Sequence, residues 1–79
     1  MIQVTREEYM AFFKGKNLKP VASFSDPDGV LPFGYGQPAM DTDWGTENEE
    51  EPFARCEMRK DSRHQTEWEY TYFINPKFL

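Results

Sequence analysis

The chain has 79 residues, a net charge of −5 and a mean hydropathy of −0.83, which excludes a second domain and leaves a single core only just large enough to fold. Aromatics make up 16% of the residues against 38% hydrophobic in total, so the expected core is built from a few large rings. Cys56 is the lone cysteine, which excludes an intrachain disulfide and points to a reducing, cytoplasmic setting.

The first residues, MIQVTREEYMAFF, carry two acids and no long apolar run, so neither a signal peptide nor a membrane anchor is expected there. Ile2 to Val4 reads as a short edge strand. Thr5-Arg6-Glu7-Glu8 then fits a capping box, with the Thr5 hydroxyl on the Glu8 amide and the Glu8 carboxylate on the Thr5 amide. A helix is therefore predicted from Arg6, with Val4 and Tyr9 at the positions of a hydrophobic staple. Tyr9, Met10, Phe12 and Phe13 supply an apolar stripe, and Gly15 supplies the stop.

Residues 20–24 read as a strand, followed by the turn signal Asp26-Pro27-Asp28-Gly29. Residues 30–33 suggest a short returning strand interrupted by Pro32. From Gly34 to Pro52 the glycines, prolines and acids predict a long acidic loop. The final segments, 53–60 and 66–75, predict a hairpin, with 66–75 as the main strand of the sheet. Matching Met58 to Tyr70, Cys56 to Tyr72 and Ala54 to Ile74 also sets Arg59 against Glu69, leaving Glu67 and Glu69 to offset Arg59 and Lys60. Sliding the register by two would oppose Glu57 to Glu69, which like-charge repulsion disfavours. The expected fold class is α+β: one short N-terminal helix packed on an antiparallel sheet of three to four strands, with the acidic loop at 34–52.

Charge is unevenly spread. Residues 1–20 carry a net +2 and residues 55–79 a net +1, whereas residues 21–54 hold eight acids and no base. This disfavours direct nucleic-acid or anionic-membrane binding through the middle of the chain. Asp41-Thr42-Asp43-Trp44-Gly45 resembles the start of a calcium loop, but the sixth position holds Thr46 and the twelfth Pro52 in place of glycine and glutamate. No metal and no cofactor are expected. His64 sits among polar neighbours, Cys56 shares a strand face with Met58, and no nucleophile with base and orienting group is visible, so an enzyme is not expected.

The candidate partner-binding residues are Tyr35, Asp41, Asp43, Trp44, Glu47, Glu49, Glu50 and Glu51, two aromatic anchors rimmed by acids. The expected function is non-enzymatic: a small acidic inhibitor or adaptor, of the kind phages and mobile elements direct against host or defence complexes. It would dock on a protein partner with a basic surface, and nucleic-acid mimicry would apply if that partner is a nucleic-acid-binding complex. The alternative is a structural or accessory subunit that homodimerises through a sheet edge, so the chain is expected as a monomer or a homodimer.

Overall fold

The computed structural model describes residues 1–31 and 36–79. Five strands and one helix follow in the order β1 (Ile2–Val4), α1 (Arg6–Phe13), β2 (Lys19–Asp26), β3 (Ala39–Gly45), β4 (Ala54–Arg59) and β5 (Glu69–Ile74), with a 3-10 turn at Pro76–Phe78. The strands form one sheet in the order β1-β5-β4-β3-β2, and every neighbouring pair is antiparallel. The fold is therefore α+β with five strands rather than three or four.

The additional strand is β3, which occupies residues 39–45 of the expected 34–52 loop. Its residues alternate as a strand requires: Met40, Thr42 and Trp44 face the same side as Cys56 and Ala54, while Asp41 and Asp43 face the other. Val30 and Leu31 lie outside any strand, and the other half of the expected return, Pro32 and Phe33, lies outside the described residues. β2 is instead paired with β3, which makes β4 the middle strand of the sheet, with β5 beside it.

Local signals hold where their partners are close in sequence. Thr5 caps α1, the Glu8 amide donating to its hydroxyl at 3.1 Å and the Thr5 amide donating to the Glu8 carboxylate at 2.9 Å. Those bonds hold the Glu8 carboxyl below the usual range. Gly15 ends the helix at φ +78°. The β4–β5 register pairs Met58 with Tyr70, Cys56 with Tyr72, Ala54 with Ile74 and Arg59 with Glu69, as expected. β5 is shorter than 66–75 and leaves Trp68 ahead of the strand, under the Lys60 ammonium at 4.4 Å.

At eight residues, α1 is too short to persist alone. It is held by two buried rings, Tyr9 and Phe12, which cluster with Ala54 and Ile74. Tyr9 packs on Tyr72 at 4.8 Å between ring centroids, and Phe13 meets Trp44 edge-on at 5.6 Å. Phe53 and Phe78 stack at 3.7 Å beside this cluster.

Among the described residues, one buried side-chain polar atom has no partner: the Tyr9 hydroxyl is buried without a hydrogen bond. Burial, with lesser contributions from Cys56, Tyr72 and Asp43, pushes its phenol well above the ordinary value. An unsatisfied buried hydroxyl costs about 1–3 kcal/mol. Tyr9→Phe is accordingly expected to raise the unfolding free energy by about 1 kcal/mol, which in a domain of this size lifts Tm by about 4–8 °C. A thermal melt checks this, and a lowered Tm would show that the hydroxyl has a stabilising partner.

Candidate functional site

Because α1 covers one face of the sheet, side chains of the opposite parity stand on the other. That open face carries Asp41 and Asp43 from β3, Arg55, Glu57 and Arg59 from β4, and Glu69, Thr71 and Phe73 from β5. Lys19 and Ala22 extend it onto β2.

The open face is a lattice of alternating charge held by two arginine–aspartate pairs. Arg55 sits directly across from Asp43 and grips it with two bonds, Nε to Oδ1 at 2.6 Å and Nη2 to Oδ2 at 3.1 Å. Arg59 reaches diagonally to Asp41, with Nη1 to Oδ1 at 2.5 Å and Nη2 to Oδ2 at 3.3 Å. Two-point arginine–carboxylate bonds of this kind are stronger and more directional than a lysine contact. Their acceptor carboxylates are the main reason both guanidinium groups hold their protons above the usual range. Asp41 and Glu57 oppose each other across the ladder, a like-charge pair that would destabilise the strands by itself. Arg59 offsets it, since its Nη2 also lies 3.8 Å from Glu57.

Two shallow depressions flank Arg55 on this face. One, about 220 Å³, is lined by Ala22, Phe24, Asp41 and Asp43 near the β2 edge. The other, about 390 Å³, is lined by Met1, Glu51, Glu57 and Phe73 near the β1 side. Arg55 borders both.

Among the described residues, the seven expected binding residues do not form one loop surface. Tyr35 lies outside the described residues. Asp41 and Asp43 stand on the open face in their arginine pairs. Trp44 is not an exposed anchor: it faces the helix side, half-buried against Phe13, because strand alternation turns it away from its acidic neighbours. Glu47, Glu49, Glu50 and Glu51 lie on the exposed β3–β4 connection. There Glu47 pairs with Lys19, whose bond lowers the Glu47 carboxyl from its ordinary value, and Glu51 lies 3.2 Å from Lys77.

Arg55, Glu57 and Arg59 belong to this surface and were not among the expected residues. Their signal was present as Arg-x-Glu-x-Arg at period two, which places all three on one strand face. The expected offset of Arg59 and Lys60 by Glu67 and Glu69 also differs from what forms. Arg59 turns to Asp41, while Lys60 donates to the Gln65 carbonyl at 2.9 Å and covers Trp68.

Cys56 is half-buried between Thr42 and Tyr72 on the helix side, and burial pushes its thiol up, away from the nucleophilic thiolate. His64 is exposed in the β4–β5 connection. Among the described residues no three His, Cys, Asp or Glu side chains come together in a way that could hold a metal ion. No described helix is long and apolar enough to cross a membrane. No protein-family model, curated protein or solved structure matches the chain.

Proposed function

We propose that the domain is a non-enzymatic protein-binding module, a small acidic inhibitor or adaptor, that sets the open sheet face and its β3–β4 rim on a basic surface of a partner. The observation that carries this reading is the position of the acids. The helix-free face presents Glu57 and Glu69 beside the arginine-paired Asp41 and Asp43, and the adjoining rim adds the exposed Glu49, Glu50 and Glu51. A rigid sheet holding charges at fixed spacing suits electrostatic complementarity, which sets partner choice and association rate.

Mimicry of a nucleic acid is the narrower form of the proposal. Asp41 and Asp43 are already neutralised by Arg59 and Arg55, so the carboxylates that would occupy a phosphate groove are those of the rim together with Glu57 and Glu69.

The test is capture of partners on the immobilised chain beside its triple variant Glu49→Lys, Glu50→Lys, Glu51→Lys, with quantitative mass spectrometry. Wild type is expected to retain a protein set enriched in basic surfaces and released by salt. The triple variant should lose most of it while melting like wild type. Equal capture by both would overturn the electrostatic reading.

A further inference from the structure

We draw no further inference here: the strongest candidate, the shallow depression of about 390 Å³ on the open sheet face lined by Met1, Glu51, Arg55, Glu57 and Phe73, carries nothing, because its charged side chains already meet Lys77, Asp43 and Arg59 and nothing in the structure shows what covers it.

Discussion

Phe12→Ala is expected to leave the domain largely unfolded at 25 °C. Phe12 is 6% exposed and belongs to the cluster that fixes α1 to the sheet. Truncating a buried phenylalanine costs about 3–5 kcal/mol through lost transfer energy and the cavity left behind. A single core in a chain of this length supplies only about 3–5 kcal/mol in all, so the loss matches the whole. The damage is not confined to the ring. Lys16 donates to the Phe12 carbonyl at 2.8 Å and lies 4.2 Å over its ring, which ties the helix end to the same side chain. Met10, two residues earlier and 49% exposed, is the control: Met10→Ala should change stability by no more than about 0.5 kcal/mol. Urea titrations followed by circular dichroism read both. A Phe12→Ala variant with a wild-type midpoint would mean that the helix is not anchored by this ring.

The same contrast between near and distant partners explains what could be read before the structure. The capping box depends on Thr5 and Glu8, three residues apart, and the register of β4 on β5 depends on alternation that both segments display. From sequence alone β3 reads as loop, because two aspartates and a glycine are poor strand formers by themselves. What stabilises them there lies far along the chain, Arg55 twelve residues beyond Asp43 and Arg59 eighteen beyond Asp41. The alternation of Met40, Thr42 and Trp44 was legible, but aspartates between them disguised a strand with one polar face. The positions of Trp44 and the aspartates follow from the same cause: once residues 39–45 form a strand, Trp44 must turn to the core and the aspartates to the open face. The rim glutamates Glu49 and Glu50 are exposed on the β3–β4 connection, while Glu47 and Glu51 meet the distant Lys19 and Lys77.

Gly29→Ala is expected to destabilise the domain by about 2–5 kcal/mol, combining left-handed backbone strain with overpacking. Gly29 closes the turn after β2, its amide donating to the Asp26 carbonyl at 3.2 Å, and it adopts φ +69°. A methyl there would lie 2.8 Å from three backbone atoms, the Gln37 carbonyl carbon, the Gly36 oxygen and the Pro38 nitrogen. Backbone cannot swing aside as a flexible side chain would. The intruded segment leads directly into β3: Pro38 is fully buried, its carbonyl accepts from the Lys60 amide at 3.2 Å, and Ala39 is 1% exposed. Displacing it therefore strains the β2–β3 and β3–β4 ladders together. Gly15 separates the two components of the cost. It has a similar φ of +78° with open space where a Cβ would stand, so Gly15→Ala should lose only the conformational part, about 1–2 kcal/mol. Denaturant melts of the two variants should differ by the contribution of the backbone clash. Equal losses would mean that residues 36–38 yield freely, and the turn would then be no brace for the strand that carries Asp41 and Asp43.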